Sequence, residues 1–343
     1  MKKSVSIKDI AKLSHASITT VSFALNGKGR ISEATKKRIL EVAEQQGYHA
    51  NRMAVGLRTG VSKIIGLVVD NMGGQFFGVI AKILEEEAEK FGYRILYCST
   101  NNNLQKGRDA IKMLSQQLVD GYIITPLKGL EEDILQLTSD NKPVVLIDGY
   151  FPELPVPYVL VDNFNAVKDG IECFVHSGYQ QIGFVTKDLD LIQLNERFRG
   201  YSEGITAQNL KFKKKNILNL SPKLSDEEAV LAIKEFIVNN KKLDAIFFST
   251  NYLGALGLQS LKDLGLHIPE DIGVISFDDN ELFNLYPPGI TSIKQPTYEI
   301  AKTAIDLLFS QIRHNETAVA TIGVQLPATL IERGSTRPKS VVI

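Results

Sequence analysis

The first fifty positions carry their apolar residues at helical spacing. Ile7, Ile10 and Ala11, with Leu13, predict an inward face over residues 7–14. Ser14-His15-Ala16 reads as a tight turn and Ser17 as the N-cap of a second helix running to about Asn26. Val21, Ala24 and Leu25 would face inward there, leaving Ile18, Thr19, Ser22, Phe23 and Asn26 outside. Gly27 and Gly29 punctuate the next loop, Ser32 caps a third helix whose stripe is Ile39, Val42 and Ala43, and Gly47 stops it.

From Lys63 onward the pattern changes. Ile64–Val69 is a continuous apolar run, the signature of a strand buried on both faces of a parallel sheet. A helix is expected from Phe76 to about Phe91, a strand at Arg94–Ser99 and a helix near Leu104–Leu118. Strands follow at Tyr122–Thr125 and Val144–Ile147. The alternation restarts after Tyr158–Val161, with helices near 164–177 and 194–209 and strands at Ile182–Thr186, Ala245–Ser249 and Gly273–Phe277. Two series of βα units predict two doubly wound lobes. The tail adds Thr291–Pro296, a helix to about Arg313, and strands near Ala320–Leu326 and Thr329–Ile331.

A chain of 343 residues is longer than one core usually organises. Its net charge is zero, but the average hides a division. Residues 1–60 hold eleven Lys/Arg against four Asp/Glu, a charge of +7, so residues 61–343 carry −7. A basic head on an acidic body is the asymmetry expected of a chain that meets a polyanion at one end. No apolar run reaches the length of a membrane span. Lys8, Asp9 and Lys12 interrupt what would otherwise resemble an export signal. Only Cys98 and Cys173 occur, which excludes a disulfide framework and fits a reducing cytoplasm. The Glu85–Glu87 and Lys213–Lys215 runs read as solvated faces.

Three short helices with a tight turn between the first two suit a helix-turn-helix whose second helix enters the major groove of DNA. Thr19, Thr20 and Ser22 would reach base edges or phosphates, and Ile18 and Phe23 a thymine methyl. The same bundle would also serve to dock a protein through Phe23. Ile7–Ala11, Thr19-Thr20-Val21-Ser22-Phe23-Ala24-Leu25-Asn26, Ile31–Thr35 and Gly47-Tyr48-His49-Ala50-Asn51-Arg52 together resemble the amino-terminal signature of the LacI/GalR family of bacterial transcription regulators. The resemblance implies DNA-contacting roles for Ser17, Ile18, Thr19, Thr20, Ser22, Phe23 and Asn26, and extends the interface to Ile7, Ser32, Asn51, Ala54 and Leu57. Ser14-His15-Ala16 replaces the usual A-G-V turn, and Phe23 stands where many members carry a polar reader.

By the same resemblance residues 1–50 are the helix-turn-helix domain and 51–60 a hinge helix. Leu57 would then wedge into the minor groove, although packing on the body is its other reading. Residues 61–343 resemble a two-lobed, periplasmic-binding-protein-like body of doubly wound parallel sheets. The implied crossings near Asp162, Ile293 and Pro327 give one lobe of about 61–161 and 294–326 and a second of about 162–293 and 327–340. Strand-end and motif positions nominate Asn71, Phe76, Phe77, Asp148, Arg197, Asn251 and Asp278 for a ligand cleft, Arg197 through its R-x-x-G-[FYW] element. Carboxylates, amides and a guanidinium beside aromatic rings suit a small polyhydroxylated molecule. Tyr252 departs from the Asp common at its position, and the chain has no tryptophan to stack on a sugar.

No dinucleotide, P-loop or nucleophile-elbow motif occurs, and the five histidines are scattered, so no catalytic centre, metal site or cofactor is expected. Asp148 and Asp278 as an acid–base pair of a sugar-processing enzyme remain an alternative. The expectation is therefore a homodimeric repressor. It would bind a near-palindromic double-stranded operator under the control of a small effector, a carbohydrate or alternatively a purine or other metabolite. Without a further leucine-heptad helix after Ser340–Ile343, a dimer is expected rather than a tetramer.

Overall fold

The computed structural model describes residues 5–26, 29–48, 60–314 and 323–337. It divides into two units, Met1–Lys63 and Ile64–Ile343.

The first unit holds α1 (Ile7–Leu13), α2 (Ile18–Asn26) and α3 (Glu33–Gln45). Each helix begins at a serine whose side chain takes an otherwise unpaired amide. Ser6 and Asp9 cap α1 reciprocally, Ser17 Oγ accepts from the Thr20 amide at 3.0 Å, and Ser32 Oγ accepts from the Thr35 amide at 3.2 Å. His15 turns the chain between α1 and α2 with φ 50°, and Gly47 ends α3 with φ 61°. Ile10, Ala11, Val21, Ala24, Ile39 and Ala43 form the core. Leu13 does not join it. It stands 51% exposed, because the helix ends at Leu13 and presents that last residue away from the bundle.

In the second unit β1 (Ile64–Val69), β2 (Arg94–Ser99), β3 (Gly121–Ile124), β4 (Val144–Ile147) and β5 (Tyr158–Val161) join β11 (Gly323–Leu326) in one sheet. The helices α4 (Gln75–Glu89), α5 (Leu104–Gln116) and α6 (Glu131–Ser139) connect its strands. After α7 (Asn163–His176), strand β6 (Ile182–Lys187) opens the second sheet. It continues through α8 (Ile192–Ala207), β7 (Ile217–Leu220), α9 (Asp226–Asn239) and β8 (Ala245–Phe248). Then come α10 (Asn251–Asp263), β9 (Gly273–Phe277), α11 (Glu281–Leu285) and β10 (Thr291–Lys294). Helix α12 (Thr297–His314) returns to the first core through Ile300, Ala304 and Leu308, before β11 and finally β12 (Thr329–Ile331).

The strand orders are β11-β5-β4-β3-β1-β2 and β12-β10-β9-β8-β6-β7. The chain therefore passes between the sheets three times, after Val161, Lys294 and Leu326. Every pairing is parallel except that of β12, which runs antiparallel to β10. Pro327-Ala328 carries the chain from β11 to the other sheet, where β12 meets β10. Buried runs such as Ile65–Val69 and Ala245–Phe248 explain the sheets' double coverage by helices. Two charged stretches differ from the sequence expectation. Glu87 is 4% exposed on the inner face of α4 and paired with Lys90 at 2.6 Å, and Lys213 donates to Gln181.

Candidate functional site

In both sheets the strand order reverses at one point, between β1 and β3 and between β6 and β8. Open α/β sheets bind ligands at such points, beyond the carboxyl ends of the strands. A cavity of about 490 Å³ lies there between the lobes. The first lobe lines it with Asp70, Asn71, Phe76, Phe77, Asn102 and Asp148; the second adds Lys187, Gln193, Arg197, Asn251, Tyr252 and Asp278, with Gln295 where the chain leaves β10. All seven residues nominated from the sequence line this one cavity.

Their local settings follow from the strand ends. Asp148 and Asp278 immediately follow β4 and β9 with φ 64° and 67°, left-handed values that Asp tolerates better than most residues. Asn71 accepts the Gly73 amide at 2.8 Å, a turn that delivers Phe76 and Phe77 at the start of α4. The two rings meet edge to face with centroids 5.0 Å apart. Thr250 caps α10, so Asn251 stands at the helix's first position on the cavity wall.

Arg197 is 3% exposed. It donates to Asn163 Oδ1 at 2.8 Å and to the Ser249 carbonyl at 2.7 Å, lies 3.8 Å from Asp278, and stacks on Phe277 with Cζ 3.5 Å from the ring centre. The surface ion pairs of this helix belong to Arg199, which meets Glu196 and Glu203. Gly200 lets this happen: a Cβ there would come within 2.4 Å of the Phe164 carbonyl, so only glycine lets α8 approach α7 with Arg197 turned inward.

Burial pushes the Asp148 carboxyl up to about 7; Arg197 opposes the rise, while Asp278 and Asp70 add to it. Gln193 donates to Asp148 across the lobes at 3.0 Å. Burial also raises the Asp70 carboxyl, and it lowers the Lys187 ammonium, which lies 4.1 Å over the Tyr252 ring. Among the described residues Asp70 Oδ1 and Gln295 Oε1 are buried without a hydrogen-bond partner. Gln295 donates through its other end to Asp278.

Lys187, Gln193, Gln295 and Asn163 were not nominated from the sequence. Two carried a local signal: Lys187 ends a strand, and Gln193 precedes Arg197 by one helical turn. Asn163 and Gln295 reach the site only through the lobe crossings.

On the first unit, α2 presents Ile18 at 47% and Phe23 at 42% exposure, with Ser17 and Thr19 also exposed and Thr20 and Ser22 half-buried. Ile7 is half-buried at the start of α1 and Ser32 caps α3. Asn26 ends α2. Asn51, Ala54 and Leu57, and with them the expected hinge helix, lie outside the described residues. Among the described residues no cluster of metal-ligating side chains occurs, and no helix is long and apolar enough to cross a membrane.

Two family models match the chain: the bacterial regulatory proteins of the lacI family over residues 6–51, and a periplasmic binding protein-like domain over residues 171–336. The HTH-type transcriptional repressor PurR of Aliivibrio fischeri is 30% identical over 321 residues, covering 90% of this chain and 92% of its own. The lac repressor dimer bound to operator and the anti-inducer ONPF superposes with a TM-score of 0.85 at 21% identity, covering 98% of this chain and 100% of its own. The complex of the transcriptional regulator CelR with cellobiose superposes with a TM-score of 0.71 at 22% identity, covering 96% and 99%. The chain belongs to the lacI family of bacterial regulatory proteins and is a DNA-binding transcription regulator with a helix-turn-helix head and a periplasmic-binding-protein-like body.

Proposed function

We propose that this regulator is a repressor that senses a small carbohydrate in the interlobe cavity and acts as a homodimer on a near-palindromic operator. The carrying observation is the cavity's donor set. Asp148, Asp278 and the unpartnered oxygens of Asp70 and Gln295 accept hydrogen bonds; Asn251 and Arg197 supply donors; Phe76 offers a flat apolar face. That is the mixture a polyol presents in reverse. The lac repressor is named with its operator, and CelR with cellobiose; both names fit the reading.

On the head, the outer side of α2 supplies the base contacts through Ser17, Ile18, Thr19, Thr20, Ser22, Phe23 and Asn26. Ile7 and Ser32 hold phosphates through the helix starts. Asn51, Ala54 and Leu57 form the hinge contact. A two-fold dimer reads two half-sites, hence the near-palindrome.

Control follows from the cavity's two walls. A ligand that touches both lobes binds their closed arrangement more tightly than the open one, and only that difference in affinity shifts the equilibrium. The test is a thermal-shift screen of sugars, oligosaccharides and purines on the full-length protein, beside a random-oligonucleotide selection at low ionic strength. A sugar hit that disappears in Asp278→Asn and Arg197→Ala, with DNA selection intact, supports the reading. A hit that keeps its full shift in both variants, a purine hit alone, or no selected duplex overturns it.

A further inference from the structure

The cavity holds two cations of different standing. Arg197 is compensated in place: Asn163 and the Ser249 carbonyl each accept one of its N–H groups, the Asp278 carboxylate stands 3.8 Å away, and Phe277 covers its face. Lys187 stands half-buried at the end of β6, packed over Tyr252, and among the described residues it makes no ion pair. The two carboxylates that act on it do not close on it. Asp226 accepts the Tyr252 hydroxyl at 2.6 Å, and Asp70 belongs to the opposite lobe. Taking an ammonium partly out of water without a partner is costly, so a group that completes the site should supply the anion.

The charges gather around two cations, joined through Asp70. Asp148 and Asp278 act on Arg197, Asp70 and Asp226 act on Lys187, and Asp70 also acts on Asp148. The Arg197 group offers acceptors for hydroxyls; the Lys187 end offers an unused positive charge beside an aromatic wall.

We propose that the effector is an anionic carbohydrate, a polyol bearing a carboxylate or phosphate that Lys187 takes while its hydroxyls meet Asp148, Asp278 and Gln295. This rests on the carbohydrate reading above and narrows it to acidic members. Lys187 is then the residue that sets specificity for charge, acting as a compact point donor rather than a planar fork.

The experiment is titration calorimetry on the full-length protein. The panel is glucose, galactose, fructose and ribose with their uronate, aldonate and phosphate derivatives, against wild type, Lys187→Gln, Lys187→Met and Asp278→Asn. The expected result is a charged derivative that binds about tenfold or more tighter than its neutral parent, since charge-assisted hydrogen bonds exceed neutral ones. That preference disappears in both Lys187 variants, the charged derivative losing much more affinity than its neutral parent, and in wild type it weakens with added salt. Uronates or aldonates against phosphates decide which anion is meant. Neutral sugars binding as well as acidic ones, equal loss of both in the Lys187 variants, or no binding in the panel overturns the proposal. If Asp278→Asn abolishes sugar binding, but charged and neutral sugars bind alike in both wild type and Lys187→Gln, the cavity reading stands and the anionic one falls. If Asp278→Asn changes neither, the cavity reading itself fails.

Discussion

Asp148→Asn isolates the electrostatic strain of the cavity. Asn is close to isosteric with Asp, tolerates φ 64° as readily, and still accepts from Gln193, so the substitution removes only the charge. In the native chain burial holds the Asp148 carboxyl near 7, against 3.8 for the free group. The folded state therefore keeps a proton that the unfolded chain releases from about pH 4 upward. The associated stability is full below pH 3.8 and is lost as pH rises through 7. One pKa unit corresponds to about 1.4 kcal/mol, so the interval from pH 5 to 7 sets a ceiling of about 3 kcal/mol. Solvent in the partly open cavity and sharing of the proton with Asp70 and Asp278 reduce this to about 1.5 kcal/mol. For a body of this size that corresponds to roughly 3–6 °C in Tm. Melting wild type and Asp148→Asn side by side from pH 5 to 8.5 should show the variant gaining on wild type as pH rises, with the gap level above about pH 8. A gap that stays constant, or narrows toward high pH, would refute the assignment of a buried, proton-holding carboxyl.

Two further substitutions separate packing from contact. Gly200→Ala forces a methyl to within 2.4 Å of the Phe164 carbonyl and should cost about 1–3 kcal/mol in chemical denaturation. It should also weaken effector binding measured by calorimetry, because Arg197 and Asn163 ride on the two helices it separates. In the head, Ser17→Ala loses the α2 cap and should lower stability by about 1 kcal/mol in the same assay. Phe23→Ala should change stability by less than about 0.5 kcal/mol, since the ring is 42% exposed, yet reduce affinity for the selected duplex severalfold. Equal effects of the two head variants on stability would contradict the assignment of the outer face.

The elements that periodicity could find are those whose burial is one-sided or complete. Ile64–Val69, Arg94–Ser99, Val144–Ile147, Tyr158–Val161 and Gly273–Phe277 are strands with the bounds expected from their apolar runs. Strand β7 escaped because Ile217-Leu218-Asn219-Leu220 follows a lysine-rich stretch and is an edge strand only partly covered. The charge of Glu87 argues for a place in solvent, yet on α4 it shares the inward side with Ile80, Leu84 and Ala88. The antiparallel sense of β12 comes from the direction in which the last crossing delivers the chain to β10, which hydrophobic pattern does not encode. In the cavity, strand-end logic reached Asp148 and Asp278, and a motif reached Arg197. Gln295 and Asn163 become site residues only when the crossings carry them there, a tertiary fact without a local sequence signal.

The same crossings would couple a bound ligand to closure of the lobes. Lobe one contributes Asp70, Asn71, Phe76 and Asp148, and lobe two Lys187, Arg197, Asn251 and Asp278, so neither wall alone satisfies a small polar molecule. Among the described residues, two of the side-chain contacts that span the lobes differ in standing. Lys128 pairs with Asp190 at 2.6 Å, but both side chains are largely exposed, and such pairs contribute little. The Gln193–Asp148 bond at 3.0 Å lies in the cavity itself, and its acceptor changes charge near pH 7. An allosteric coupling of 1–3 kcal/mol is the usual scale, and one or two hydrogen bonds to charged groups made only on closure would supply it. A ligand that engages Arg197 and Asp278 alone stays on one lobe and has no reason to prefer the closed state. Engagement of Asp148 or Asp70 as well is what turns occupancy into a change of shape.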